Sequence, residues 1–171
     1  MGDLVFFSVG PRLGMRRGVA ATAWYERGCA LELGEPVAAI AAYERALAGR
    51  PDLADAHCNL GRLLHDRHEL AAAEGHYRLA ICADPRVALY WFNLGVVLED
   101  QGRAGEAIAA YERAIASPAV GSATCVADAH FNLARLFEQV GRRAGDDELI
   151  RAAVRHLLAY RSFARHQAIL R

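Results

Sequence analysis

Asn59 and Asn93 stand 34 residues apart, and Asn132 follows 39 residues later. A carboxamide carries both a donor and an acceptor. Spaced regularly along one surface, such groups can pair with the N–H and the C=O of an extended peptide. Three residues beyond Asn59 and Asn132 stand Arg62 and Arg135, and Val96 takes that place after Asn93. A guanidinium grips a carboxylate as a two-pronged fork. Leu89, Phe92 and Val96 add an apolar centre, with Phe131 further along and Tyr25 nearer the start. An aromatic centre with an arginine rim is the make-up of a binding hot spot. The same residues also have plainer uses. Half-buried amides must be satisfied in any fold, and Arg62 and Arg135 have Asp66 and Glu138 within reach for surface ion pairs.

Other chemistry is sparse. His65 and His68 lie i, i+3 on a predicted helix, with His76 nearby. Zinc takes about three or four ligands, and no motif here fixes a third. There is no GxSxG, no HExxH and no phosphate-binding loop. No catalytic residue, metal or cofactor is therefore expected, and the chain is read as non-enzymatic. Cys29, Cys58, Cys82 and Cys125 lie far apart without a CxxC pair. They read as reduced thiols of a cytoplasmic protein rather than a disulfide or zinc framework.

The elements that position these residues are short amphipathic helices. In residues 88–118, Trp91, Leu94, Gly95 and Leu98 follow the i, i+3, i+4, i+7 spacing of one helical face. Gly102 ends that helix, as a left-handed glycine commonly does. A second helix carries Ala107, Ile108, Tyr111, Ala114 and Ile115, and Pro118 stops it. The pattern overlays itself at a shift of 34 residues. Leu60-Gly61 becomes Leu94-Gly95, Tyr43 becomes Tyr77 and then Tyr111, and Ala46 becomes Ala80 and then Ala114. Gly34 becomes His68 and then Gly102. A helical pair of this length cannot bury both apolar faces alone, so the units must stack on one another.

On these aromatic, Leu-Gly, Gly, Ala, Tyr, Ala and Pro landmarks the chain resembles the tetratricopeptide repeat (TPR) proteins. The resemblance implies an all-α fold: a right-handed α-solenoid of about four helical hairpins with a long C-terminal capping helix. Repeats fall at about 20–53, 54–87, 88–121 and 127–161, within one domain over 19–171. Residues 1–18 form a leader expected to be loosely ordered. Two departures stand out. Five extra residues lie in the loop after Pro118, and a surplus RRAGDDE is read as a lengthened turn after Gly141. Asp146 or Asp147 then caps the last helix, with Leu149, Ile150, Ala153, Val154, Leu157 and Leu158 expected to face inward.

In this family the first helix of each repeat lines a concave groove. The resemblance therefore places Tyr25, Asn59, Arg62, Phe92, Asn93, Val96, Phe131, Asn132 and Arg135 on a partner-binding surface. The three asparagines resemble the asparagine ladder of the O-linked glucosaminyltransferase repeats. The carboxylate clamp of chaperone-tail-binding members is not reproduced, because Tyr25 and Cys29 stand where Lys and Asn are needed. The expected function is a protein–protein interaction scaffold or adaptor that binds an extended peptide or a partner helix. The alternatives are a TPR-type secretion chaperone and a self-associating scaffold.

Composition excludes other classes. Twenty Lys and Arg, all of them Arg, balance twenty Asp and Glu, so net charge is zero. That gives no general reason to expect nucleic acid or a membrane as partner. Charge is nevertheless uneven: residues 1–18 carry +2, residues 151–171 carry +5, and the middle carries −7. No apolar run approaches the roughly 18 residues of a membrane span. Heavy use of Ala, Arg and Gly reads as the coding bias of a GC-rich bacterial genome.

Overall fold

The computed structural model describes residues 12–117 and 123–169. Among the described residues there are eight α-helices and no strand: α1 Arg12–Leu31, α2 Pro36–Gly49, α3 Ala54–Asp66, α4 Leu70–Ala83, α5 Ala88–Asp100, α6 Ala104–Ala116, α7 Ala123–Ala144 and α8 Asp147–Ile169. Consecutive helices pair into four hairpins, and the second helix of each hairpin packs on the first helix of the next. The first helices α3, α5 and α7 also touch one another. The layer of first helices is therefore the tighter, inner layer of an α-solenoid.

Each of the first three hairpins is closed by a glycine under a tyrosine. A Cβ on Gly28, Gly61 or Gly95 would lie 2.5, 2.9 or 2.5 Å from the ring of Tyr43, Tyr77 or Tyr111. Only a residue without a side chain lets the two helices approach this closely. The three rings are fully buried, and burying a side chain of this size contributes about 2 kcal/mol. Around them Ala39, Ala46, Ala73, Ala80, Ala107 and Ala114 complete a core of small residues. In the fourth hairpin the pair is replaced. Leu133-Ala134 takes the Leu-Gly place, and Leu157 takes the tyrosine place.

The turns follow one design with variations. Gly102 has φ +76, and the Arg103 N–H donates to the Leu98 carbonyl at 2.9 Å. This is the Schellman closure of a helix end. His68 makes the same turn with φ +61, and the Glu69 N–H donates to the Leu64 carbonyl at 2.9 Å. The histidine thus keeps the left-handed geometry at a steric cost of about 1 kcal/mol. Gly34 behaves differently. It does not adopt positive φ, and the Glu35 N–H closes the turn onto the Leu31 carbonyl at 2.8 Å. Pro36 sits at the start of α2, as expected.

Three expectations are corrected. First, α1 begins at Arg12, so seven residues of the expected leader are helical; residues 1–11 lie outside the described residues. Second, the surplus residues around the fourth repeat mostly lengthen helices rather than loops. α7 starts at Ala123 and runs through Gly141 to Ala144. Gly145, at φ +66, ends it, and the Asp146 N–H donates to the Gly141 carbonyl at 2.9 Å. Gly141 itself serves close packing, since a Cβ there would meet Leu149 and Ile150 at 3.0 Å. Asp146 caps α8 by accepting from the Glu148 and Leu149 N–H groups at 2.8 and 3.2 Å. The loop and Pro118 fall outside the described residues, although Ser117 before the proline is extended. Third, α8 turns only part of its apolar stripe inward. Ala152 and Ala153 are buried, whereas Val154, Leu157 and Leu158 are 52%, 42% and 60% exposed. Among the described residues no hairpin follows to cover them.

Candidate partner-binding face

The sequence-expected site residues all lie on the first helices and so on the inner layer. Tyr25 is on α1; Asn59 and Arg62 are on α3; Phe92, Asn93 and Val96 are on α5; Phe131, Asn132 and Arg135 are on α7. Repeat spacing alone brings them together, because one residue per period returns to the same place on successive hairpins.

The three asparagines each reach back to the preceding hairpin. Asn59 Nδ2 donates to the Tyr43 hydroxyl at 3.2 Å, and Asn132 Nδ2 donates to the Tyr111 hydroxyl at 3.1 Å. Asn93 Nδ2 points to the Cys58 sulfur at 3.4 Å. Each carboxamide thus engages an N–H between repeats. Tyr43 and Tyr111 in turn donate to Glu32 at 2.5 Å and Glu99 at 3.2 Å. Burial, first of all, raises the pKa of both phenols far above the ordinary value. They therefore stay protonated and keep donating.

The arginines also bridge hairpins. Arg62 reaches Glu32, just past the end of α1, at 2.6 Å and Asp66 on its own helix at 3.5 Å. Arg135 pairs with Glu99 on α5. Its expected neighbour Glu138 is taken by Arg142 at 2.6 Å. Nothing local in the sequence marks Glu32 and Glu99 as partners, since both lie about one repeat away. A third bridge completes the row: His65 Nε2 lies 2.6 Å from Asp100 on α5.

Between these polar bridges runs an apolar stripe. Leu89 is exposed, and Phe92 and Val96 are half-buried one and two turns along α5. Phe92 leans on Tyr111 with ring centroids 5.8 Å apart. Phe131 is exposed on α7 and packs on Tyr160 at 5.3 Å. Tyr25 lies 5.9 Å from Tyr43. Its pKa is raised to about 12, chiefly by burial and then by Cys29. Cys58 is buried, and burial pushes its thiol up to about 11. A thiol in that state is a weak nucleophile.

No metal-binding cluster of three or more His, Cys, Asp or Glu occurs among the described residues. His65, His68 and His76 do not converge. His65 faces Asp100, His68 sits in its turn, and His76 meets His57. All four cysteines are free thiols, with Cys58 and Cys125 buried and Cys29 and Cys82 exposed. Among the described residues, no helix is long and apolar enough to cross a membrane.

Comparison with known proteins agrees with this architecture. The TPR repeat family model matches residues 30–67, and a second Tetratricopeptide repeat model matches residues 80–121. No curated protein matches the sequence. Among solved structures, the crystal structure of MamA superposes with a TM-score of 0.69 at 20% identity, over 88% of this chain and 86% of that one. MamA 41-end from Desulfovibrio magneticus RS-1 gives 0.69 at 20% identity, over 86% and 77%. The second TPR of Spaghetti (RPAP3), solved bound to the HSP90 peptide SRMEEVD, gives 0.59 at 20% identity, over 62% and 98%. At such identities the likeness speaks to the fold. The two family-model matches show that this chain carries tetratricopeptide repeats over residues 30–67 and 80–121, the second of which contains the Gly95–Tyr111 contact.

Proposed function

We propose that this chain is a non-enzymatic interaction module that receives an apolar segment of another protein, as an extended peptide or a partner helix, on its inner face. The carrying observation is the stripe of Leu89, Phe92 and Val96, left exposed or half-buried between the Arg62–Glu32 and Arg135–Glu99 bridges. Apolar area removed from water drives association, and fixed charges at its rim set orientation. A domain of this fold holds a peptide in the RPAP3 structure, which supports the same class of work here. The asparagines contribute less than a full ladder would, because each spends an N–H between repeats. What remains for binding is the acceptor oxygen and, on Asn93 and Asn132, the second N–H. Four free thiols fit a reducing, cytoplasmic setting.

The test is selection from a random displayed-peptide library on the immobilised chain. Enriched peptides are then titrated by fluorescence anisotropy. Val96→Glu is expected to weaken them at least about tenfold, while Leu79→Glu on α4, exposed but on the outer layer, leaves them unchanged. Peptides that bind Val96→Glu as well as the parent chain would remove the inner face from consideration.

A further inference from the structure

The last hairpin ends in an open groove of about 290 Å³ between α7 and α8. Phe131, Ala134 and Glu138 line one wall, and Ile150, Val154 and Leu157 line the other. The repeat register identifies what this groove is. Ala134, Glu138, Val154 and Leu157 stand where Gly95, Glu99, Ile108 and Tyr111 stand in the third hairpin. There, Tyr111 is fully buried, and α7 lies over the groove, with Asn132 on Tyr111 and Arg135 on Glu99. The same junction occurs between the first and second hairpins, where Asn59 meets Tyr43 and Arg62 meets Glu32. The terminal groove is thus a repeat junction that no helix among the described residues covers.

We propose that this groove is a docking site for a partner protein's amphipathic helix, seated as the first helix of a next repeat would be. It is a second surface, separate from the inner-face stripe on α5. Two features specify the occupant. Glu138 occupies the place of Glu99 and pairs with Arg142 on its own helix at 2.6 Å. That pair is exposed and worth little, so an arginine or lysine of the occupant, at the position that Arg135 holds on α7, takes or shares the carboxylate. Leu157 has no hydroxyl to satisfy an asparagine, so the Asn132 position of the occupant is apolar. A buried carboxamide facing Leu157 would be left without a partner, which costs about 1–3 kcal/mol. The other face of the helix is small or aliphatic, as Ala129, Leu133 and Leu136 are on α7, all of them buried.

A second copy of this chain does not meet that description. The outward helix of its described residues is α1. At the places where α3 carries Ala56, Asn59, Leu60 and Leu63, α1 carries Ala23, Glu26, Arg27 and Ala30, all exposed. Stacking α1 on the groove would bury Glu26 and Arg27 against Leu157 and Val154, and unpaired charges are costly to bury. The two ends of the described solenoid are therefore unlike: a polar one that resists addition and an apolar one that accepts it.

The probe is a fluorescein-labelled peptide of residues 123–140 of this chain carrying Asn132→Leu. Anisotropy titration against the full chain is expected to saturate, and Val154→Glu in the chain is expected to weaken binding at least about tenfold. Arg135→Glu in the peptide should do the same by facing Glu138. Leu79→Glu in the chain is the control for a nonspecific loss of apolar surface, and circular dichroism confirms that both variants fold. Equal binding to Val154→Glu and the parent chain would overturn the proposal, as would failure of the peptide to saturate. Analytical ultracentrifugation gives the third arm. Dimers of the parent chain that Val154→Glu dissolves would make the occupant a second copy and overturn the assignment to a partner helix.

Discussion

His57 Nδ1 lies 3.0 Å from His76 Nδ1, and the pair recurs two hairpins later, with His130 and His156 2.9 Å apart. The positions correspond by repeat register. Trp24 and Trp91 occupy the place of His57 and His130 in the other two hairpins, opposite Ala42 and Ala110. The indole of Trp91 donates to the Pro85 carbonyl at 2.8 Å, and His57 Nε2 lies 3.0 Å from the equivalent Pro51 carbonyl. With Nε2–H donating there, His57 Nδ1 must accept, so His76 Nδ1 must donate. Two imidazoles thus do the packing of one tryptophan. The arrangement holds only while at least one ring of each pair is neutral, because two protonated Nδ1 atoms would face each other.

That geometry sets a pH dependence. Burial, followed by the facing His57, lowers the pKa of His76; burial followed by His156 lowers that of His130. Burial also lowers His156, with Glu112 opposing and Arg155 adding to the shift. A histidine whose folded pKa is depressed binds more protons when unfolded. Its stabilising share is present above the unfolded value of about 6.5 and is lost as pH falls through the folded value. The thermal midpoint should therefore fall between about pH 7 and pH 5. The double change His57→Trp/His76→Ala, which copies the third hairpin, should flatten part of that slope. A slope identical to that of the parent chain would count against the paired imidazoles.

Gly95→Ala should destabilise the fold by about 2 kcal/mol, because its Cβ meets the Tyr111 ring at 2.5 Å. Gly61→Ala, with 2.9 Å to Tyr77, should cost less. The fourth hairpin already shows the compensated form, Ala134 opposite Leu157. Adding Tyr111→Leu to Gly95→Ala should then cost less than the two single changes summed. Urea unfolding of the parent chain, both single variants and the double variant gives the coupling.

His68→Gly should stabilise by about 1 kcal/mol, since His68 sits at φ +61 and glycine enters that region without the Cβ penalty. Gly102→Ala, at φ +76, should have the opposite sign and similar size. Urea midpoints that move together for both variants would show that the turn conformation is not what they report.

Asn132→Ala should lower stability by about 1 kcal/mol through loss of its bond to the Tyr111 hydroxyl. In a cycle with Tyr111→Phe the two effects should be strongly non-additive. Additive losses would instead place the asparagine's contribution outside this contact.

Residue types and their spacing are enough to specify the hairpin and its repetition. The 3.6-residue spacing of apolar positions, the recurring Leu-Gly and Tyr, and the 34-residue period all describe contacts within a hairpin and with the next one. Such contacts are set by local register, so Asn59, Phe92, Asn93 and Asn132 could be placed on one face before any coordinates. What those side chains do was set by packing in three dimensions. Whether an amide faces a groove or the Tyr43 or Tyr111 hydroxyl next door depends on the angle between hairpins, which no residue type encodes. The partners Glu32 and Glu99 lie about a repeat away from their arginines for the same reason. The surplus around Gly141 shows the limit most clearly. Its length could be counted in sequence, but a helix extended by one turn and a longer loop use the same number of residues. In the fold it is the helix, with Gly141 packed closely against Leu149 and Ile150. That choice extends α7 beside α8 and, with no described hairpin beyond, leaves Val154 and Leu157 open at the end of the stack.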